Sequence, residues 1–407
     1  MDVLHSSGRN AYRNNSKMIE VGNRFWSDSA AHGLMGIVAN RRGDNRLLSE
    51  DGHAFINFGC CSYLDLDCHP AILAGAHAAL DRYGALDHCT SRVRVQLPAL
   101  LELEAALGEL FQAPIVTAIS ASAATTGLLP LLASGHLTQG QRPLMVFDKH
   151  AHFGMNLMKP VCADETEVLT CPHNDLNFIE DACKRHAKVA YVADGTYSMG
   201  GHAPLRELLD LQQRYGLFLY FDDSHGLSIY GEQGQGFVRS QMPELNADTI
   251  ILTTLNKAFG TSGAAIMFGP RGDAAAQLLA RFGGPLTWSQ PMNTAAIGAS
   301  LASAALHRTP ELQQRQAALL RNIALFDAQV QTEQRGNRFP IKLVTVANDR
   351  VARCAQALYA AGFYVPPVFF PIVAREAAGL RVMLHANNTP EEILRLTAAI
   401  HACLQEE

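Results

Sequence analysis

The chain has no C-x-x-C pair among its cysteines, which stand at 60, 61, 68, 89, 162, 171, 183, 354 and 403. An odd count without paired spacing is the usage of a reducing compartment rather than of a disulfide scaffold. Neighbouring Cys60 and Cys61 do not readily bridge to each other, and no Cys/His cluster has zinc spacing, so no metal site is expected. No apolar run approaches the ~20 residues that a membrane-spanning helix needs. The opening MDVLHSSGRNAYRNNSK is polar, without the apolar core of a secretion signal. These absences predict a soluble, cytoplasmic protein with no membrane span. Basic clusters are missing as well: the net charge is −5 and the pI about 6.3, which leaves no footprint for nucleic acid or an anionic membrane surface. There is neither a G-x-G-x-x-G turn nor a Walker lysine, which argues against a nucleotide. No internal repeat or low-complexity segment is visible.

What the chain does have is length and apolar content: 407 residues, 48% of them hydrophobic, enough for a large core and for more than one lobe. Strand-like apolar runs at 115–119, 144–147, 189–193, 217–221 and 250–252 alternate with helical stretches such as 205–215. That alternation predicts an α/β fold, a mostly parallel sheet covered on both faces, with ligands outside the carboxyl ends of the strands. Before it come a polar segment to about residue 50, with an apolar-periodic part at 21–38 expected as an arm or helix, and a short strand at 55–58. Helices follow at 69–83 and 98–111. After it, a long helical region is expected from 295 to about 333, then strands at 342–346, 365–370 and 380–384. The last helix opens on Thr389-Pro390-Glu391-Glu392, a capping box with proline at the first helical position. The expected domains are an N-terminal segment 1–54, a large domain 55–295 and a smaller α+β domain 296–407.

Lys257 lies at the centre of Thr253-Thr-Leu-Asn-Lys-Ala-Phe-Gly-Thr-Ser-Gly263, a glycine-rich turn after a buried strand. Desolvation among small and hydroxylic neighbours lowers a lysine pKa, as Schiff-base chemistry requires. A second strand ends in Asp222-Asp223-Ser224-His225-Gly226. Adjacent acids at a buried strand end need a cation or a donor, and a protonated pyridine nitrogen is one such cation. An Asp at such a turn also serves as a helix N-cap. Ser120-Ala121-Ser122-Ala123-Ala124-Thr125-Thr126-Gly127 opens a helix with small residues, which lets backbone N–H groups approach a phosphate; the same run also suits close helix packing. His152, four residues after Asp148, offers an imidazole to stack on a flat ring, with His150 as its neighbour and competitor. Asp194-Gly195-Thr196-Tyr197-Ser198-Met199-Gly200-Gly201 closes a further strand with a polar turn.

Together these motifs resemble a fold-type I pyridoxal-phosphate transferase (aspartate aminotransferase-like) of the α-oxoamine synthase family, which includes 8-amino-7-oxononanoate synthase, 2-amino-3-ketobutyrate CoA ligase, 5-aminolevulinate synthase and serine palmitoyltransferase. The likeness runs from about residue 55 to the end. It is carried by Asp194-Gly195-x-x-Ser198-Met199-x-Gly201, by Asp222 to Gly226 followed by Gly231-Glu232-x-Gly234-x-Gly236, by Thr254-x-x-Lys257-Ala258-x-Gly260, and by His173-Asn174-Asp175. The resemblance implies pyridoxal 5'-phosphate as cofactor. Lys257 would join it as a Schiff base and later move a proton; Asp222 would pair with the ring nitrogen. His225 would bond the ring hydroxyl, with Ser198 nearby, and His152 would stack on the ring. Ser120, Ala121 and Ser122, joined by Thr254, would hold the phosphate. Ser289 or Gln290 falls where the family reaches a neighbouring subunit's phosphate, which implies a homodimer with shared active sites. Arg381 would grip the carboxylate of an amino acid.

Several positions depart from the family pattern. Cys61-Ser62 stands before Tyr63-Leu64-Asp65-Leu66 where a pair of asparagines is usual. Ala121 replaces Gly, Ser122 an aromatic, Thr125 Asn, and Val95-Gln96 a Gly-Thr. Within the family, the synthases of α-hydroxyketone quorum-sensing autoinducers relax these same positions, and the stretches 191–195 and 220–225 look most like theirs. The resemblance therefore implies condensation of an amino acid or amino-acid-derived donor with an acyl thioester, on coenzyme A or a carrier protein, with loss of carbon dioxide. An aminotransferase or a β-elimination or substitution enzyme on the same fold is the alternative.

Overall fold

The computed structural model describes residues 15–87, 91–374 and 377–405; Cys89 and the polar stretch 1–14 lie outside the described residues. The described chain divides into two compact units. One comprises Leu66–Ser198 and His202–Gln316; the other comprises the residues up to Asp65, Met199–Gly201 and the residues from Ala317. The main divisions thus fall at 65/66 and 316/317, beside the expected 54/55 and 295/296.

The first unit is built on a seven-stranded sheet of β1 (Ile115–Ala118), β2 (Leu144–Asp148), β3 (Val168–Cys171), β4 (Val189–Asp194), β5 (Phe218–Asp222), β6 (Thr249–Thr254) and β7 (Ala264–Phe268), in the order β1-β7-β6-β5-β4-β2-β3. Strands β6, β5, β4, β2 and β3 run parallel. β7 is antiparallel to both of its neighbours. All residues of β2, β4, β5, β6 and β7 are buried, which is why these strands read as continuous apolar runs rather than as alternation. The sequence reading does not predict β3 or β7. β3 is only Val-Leu-Thr-Cys before Pro172, and β7 begins directly after Gly263 as an Ala-Ala run.

The helix Ala121–Ala133 lays Leu128, Leu129 and Leu132 into the core of this unit, together with Val192, Tyr220 and Leu252. The predicted helix over 295–333 is two helices, Thr294–Leu306 and Pro310–Gln329. Pro310 has no N–H to continue the ladder and disfavours helical geometry at Thr309. The first of these helices crosses the helix Pro70–Tyr83 at Gly75 and Gly298. A Cβ on Gly298 would stand 2.3 Å from the Gly75 carbonyl oxygen, so only glycine permits this approach.

In the second unit, Ala39–Gly43, Arg46–Ser49 and Ala54–Asn57 form an antiparallel sheet that gains a parallel edge from Phe363–Tyr364. A second sheet joins Ile341–Thr345, Gly379–Met383 and Pro367–Val368. The strand expected at 365–370 is thereby replaced by two short ones, because Pro366 and Pro367 donate nothing to a ladder. The N-terminal helix spans Asn15–Ala31 rather than 21–38. The capping box forms: the Thr389 N–H donates to Glu392 Oε2 at 2.9 Å and the Glu392 N–H to Thr389 Oγ1 at 3.2 Å.

Candidate active site

Four strands of the larger sheet end in polar residues on one edge. Asp148 closes β2, Asp194 closes β4, Asp222 closes β5 and Thr254 closes β6. Asp194 and Asp222 are register partners on neighbouring strands, and both are buried. Two carboxyls placed side by side away from water do not both ionise readily. Burial, and then the neighbouring Asp222, push the Asp194 carboxyl well above the usual carboxylate range, against the pull of the His152 N–H and of Lys257. The His152 N–H donates to Asp194 Oδ2 at 2.7 Å.

Asp222 Oδ1 accepts both the N–H of Ser224, at 3.0 Å, and its hydroxyl. Ser224 Oγ accepts the Thr254 N–H at 3.0 Å, which ties the ends of β5 and β6 together. Among the described residues Oδ2 of Asp222 accepts no hydrogen bond. Lys257 follows on the turn after β6, held by the Gly260 N–H on the Lys257 carbonyl at 3.0 Å and by the Leu255 N–H on Gly263 at 2.9 Å. Its Nζ meets Nε2 of buried His225 at 2.8 Å. The three motif residues Asp222, His225 and Lys257 are thus held at the carboxyl ends of two adjacent strands.

Ser120 caps the helix Ala121–Ala133, its Oγ accepting the Ala123 N–H at 3.1 Å. The N–H groups of Ala121 and Ser122 belong to the first turn, which has no acceptor within the helix. The ring of His152 caps the short helix Phe153–Asn156. Gly154 has both His152 and Ser122 as neighbours: a Cβ there would lie 3.2 Å from His152 Nδ1 and 3.7 Å from Ser122 Oγ. The start of the helix Ala121–Ala133 and the candidate stacking histidine therefore share one corner. His150 is engaged elsewhere. Its ring stacks on His173 with centroids 4.2 Å apart, and its N–H donates to Asp148 Oδ1 at 2.7 Å.

The hydroxyl of Thr254 is directed into its own turn, to Asn256 Oδ1 and to the Gly263 carbonyl at 3.2 Å. Ser198 is half-buried at the end of the turn that follows β4. Ser289 Oγ donates to the Pro285 carbonyl at 2.6 Å, at the end of the helix Pro285–Trp288. Arg381 belongs to the second unit, on the strand Gly379–Met383. There its charge acts on Tyr63, whose phenol is pushed well above its ordinary value by burial and by Cys61, with Arg381 pulling the other way. Cys61 also contacts the sulfur of Met383 at 3.5 Å.

Sequence reasoning did not single out two features of the site. Asp148 anchors both neighbouring turns: it accepts from His150 N–H, His173 Nδ1 at 3.0 Å, Asn174 N–H at 2.8 Å and Tyr191 Oη at 2.8 Å. Burial would raise its pKa, and His173 with the N–H groups of Asn174 and His150 outweighs it and holds it below the usual range. Asp223 sits in a cage of glycines, where a Cβ on Gly226, Gly236 or Gly195 would come within 2.4, 2.6 or 2.7 Å of its carboxylate. It accepts the Val238 N–H at 2.9 Å and the Thr196 hydroxyl at 3.2 Å. Burial pushes its carboxyl up to about 7 in spite of these donors. The spacing of Gly195, Gly226 and Gly236 around an Asp-Asp pair is the signal from which the cage was readable.

The donor set fits pyridoxal phosphate: an amine, the carboxylate of Asp222 at a buried strand end, and a helix start whose first N–H groups have no acceptor within the helix. No group of three or more His, Cys, Asp or Glu among the described residues is placed to hold a metal ion. The sequence matches the family model described as aminotransferase class I and II over residues 55–400. It is 30% identical over 365 residues to 8-amino-7-oxononanoate synthase of Nitrosomonas eutropha, covering 86% of this chain and 90% of that protein. It is likewise 30% identical over 361 residues to the enzyme of that name from Bordetella petrii, covering 86% and 89%. Among solved structures, Sphingomonas wittichii serine palmitoyltransferase has the same fold, with a TM-score of 0.82 at 20% identity over 95% of this chain and 97% of that one.

Proposed function

Because the chain belongs to the aminotransferase class I and II family and, within it, to the α-oxoamine synthases, which are pyridoxal-phosphate-dependent acyltransferases, we propose that it condenses an amino acid or amino-acid-derived donor with an acyl thioester. The thioester is carried by coenzyme A or an acyl carrier protein, carbon dioxide is lost, and the product is an α-aminoketone destined for a quorum-sensing autoinducer. The observation that carries the reading is the 2.8 Å contact between Lys257 Nζ and His225 Nε2 beside the paired carboxyls of Asp194 and Asp222.

In this reading Asp222 would pair with the ring nitrogen of the cofactor, His225 and Ser198 would serve its hydroxyl, and His152 would stack on the ring. The N–H groups of Ala121 and Ser122, with Ser120 and Thr254, would hold its phosphate at the positive end of a helix. Ser289 would reach the phosphate of a partner subunit, which would make the working form a homodimer. When bound, the cofactor supplies an electron-accepting ring that stabilises negative charge at the donor α-carbon. Lys257 Nζ takes the α-proton, and Arg381 holds the donor carboxylate through a two-point contact. A carbon–carbon bond forms between the donor α-carbon and the thioester carbonyl carbon, and the carbon–sulfur bond breaks with release of the thiol. The bond to the donor carboxylate then breaks, carbon dioxide leaves, and its electron pair takes up a proton. Proton transfer by a positioned group contributes about 10²–10⁴-fold.

The autoinducer assignment is supported by the departures at Cys61-Ser62, Val95-Gln96, Ala121, Ser122 and Thr125. Thr125 is buried and bonds to Tyr220 Oη at 3.2 Å, so the replaced side chain has a partner of its own. The two relatives at 30% identity favour a second reading, formation of 8-amino-7-oxononanoate. The protein is proposed to work in the cytoplasm; no helix among the described residues is long and apolar enough to cross a membrane.

The test uses purified protein with pyridoxal phosphate and a panel of amino-acid donors, each with and without acyl-CoA and carrier-bound thioesters. Release of thiol and carbon dioxide with a single donor is expected, and the mass of the product separates the two readings. Amino-group exchange with no thiol from any thioester would replace both with an aminotransferase or β-elimination enzyme. Lys257→Ala is expected to abolish turnover; retained thiol release refutes the role of Lys257.

A further inference from the structure

Lys257 and His225 meet at one point, yet they sit on separate loops, 254–263 and 222–236. Both loops are tied to the carboxyl end of the helix Thr294–Leu306. Ser303 Oγ donates to the Phe259 carbonyl at 2.7 Å, and Ser300 Oγ bonds to Thr261 Oγ1 at 2.9 Å. His307, the C-cap of this helix, is 1% exposed. Its ring lies 4.5 Å from that of Phe259, two residues after Lys257. Its Nδ1 donates to the Ser303 carbonyl at 2.8 Å. That carbonyl can only accept, so Nδ1 carries the proton and Nε2 is left as an acceptor. Nε2 faces Ser228 Oγ at 2.8 Å, and the Ser228 hydroxyl donates to it.

Ser228 lies three residues after His225 and has a left-handed φ of 66°. This conformation is unfavourable for a residue with a side chain and persists where its surroundings impose it. The surroundings are specific here. The Ser228 N–H donates to the Gly234 carbonyl at 2.8 Å, Gln316 Nε2 donates to the Ser228 carbonyl at 2.8 Å, and His307 takes the hydroxyl. A Cβ on Gly234 would stand 2.9 Å from the His307 ring, so the loop is closed directly against the imidazole. Burial lowers the His307 pKa to about 4, which keeps the ring neutral and Nε2 available as an acceptor.

We propose that His307 is a positioning residue for the candidate active site: one face packs on Phe259 of the Lys257 loop and Nε2 hooks Ser228 of the His225 loop, fixing the Lys257–His225 contact. The inference rests on the proposed role of Lys257. His307 touches no reacting group, and its action is to hold two loops in one register. A displacement of a reacting group by about 1 Å is worth about 10²-fold in rate.

The test compares wild type with His307→Phe, His307→Gln, Ser228→Ala and Lys257→Ala, all as holoproteins. His307→Phe keeps the ring against Phe259 and loses both hydrogen bonds; His307→Gln offers an amide oxygen to the Ser228 hydroxyl. The readouts are kcat for thiol release and the pH midpoint of the visible absorbance of the bound cofactor. His307→Phe and Ser228→Ala are expected to move the midpoint by about one pH unit, the scale of one hydrogen bond at a charged group, and to lower kcat roughly 10- to 100-fold. His307→Gln is expected to restore the wild-type midpoint. An unmoved midpoint in both His307→Phe and Ser228→Ala overturns the positioning role. Ser228→Ala removes a single hydroxyl, so it decides the matter if the ring substitution impairs folding. A visible band in wild type that persists in Lys257→Ala instead overturns the assignment of Lys257, and this inference with it.

Discussion

Asp223 offers a perturbation whose magnitude follows from its surroundings. The carboxyl is 1% exposed, and burial raises it to about 7 from the ordinary 3.8 even though Val238 N–H and the Thr196 hydroxyl donate to it. Between about pH 4 and pH 7 the folded protein therefore keeps a proton that the unfolded chain has released. Stability falls as pH rises through that window, at about 1.4 kcal/mol per unit and by about 4 kcal/mol in all. Asp223→Asn removes this dependence with little change of shape. The amide oxygen can take the Val238 N–H, and the amide N–H can donate to Thr196 Oγ1, since a hydroxyl also accepts. The assay is thermal unfolding of wild type and Asp223→Asn at matched pH from about 5 to 8. The variant is expected to gain on wild type steadily up to about pH 7, by several °C in Tm for a chain of this size, and then to hold its lead. Parallel curves across the range would refute the assignment of the raised pKa to Asp223.

Three further outcomes are expected. Gly226→Ala places a methyl 2.4 Å from the Asp223 carboxylate and 2.8 Å from the Phe237 nitrogen; it should destabilise by about 3 kcal/mol in thermal or urea unfolding, at the upper end for overpacking. Asp222→Ala removes the carboxylate proposed to pair with the ring N–H and should weaken pyridoxal-phosphate binding about 10- to 100-fold in an equilibrium titration. Arg381→Lys keeps the charge and loses the planar fork, so KM for the amino-acid donor should rise about tenfold while kcat changes less.

The parts of the fold legible in the sequence were those written by a single periodicity. The helices Pro98–Phe111 and Leu205–Tyr215 carry their leucines at helical spacing and lie where that spacing puts them. The buried parallel strands β2, β4, β5 and β6 announced themselves as apolar runs, the first three closed by an acid. Short elements were not legible: β3 has four residues, β7 hides behind a glycine turn, and the two strands beside Pro366 are too brief to show a period. The long helix was overextended across Pro310 because its composition stays helix-forming on both sides. In the site, Lys257, Asp222 and His225 stood out because each lies at or just after a strand end, which is a local signal. The engagement of His150 was not readable, since it depends on His173, brought alongside it by the pairing of β2 with β3. His307 gave no local signal either. A histidine after an alanine-rich helix looks ordinary until the fold sets Ser228 and Phe259 against it.

The pairing of Ala54–Asn57 with Phe363–Tyr364 carries a consequence for the order in which the molecule is made. A ribosome releases the first of these strands long before the second exists, and parallel pairing offers no short hairpin in the meantime. The seven-stranded sheet is encoded between them and can condense first, because domains fold as they emerge. The early strand must then wait as an open edge, since its other neighbour, Arg46–Ser49, covers only the opposite side. Closure by a distant segment makes the last step a slow one. A chain cut short before residue 363 would lack the segment that closes this edge and leave it without its parallel partner.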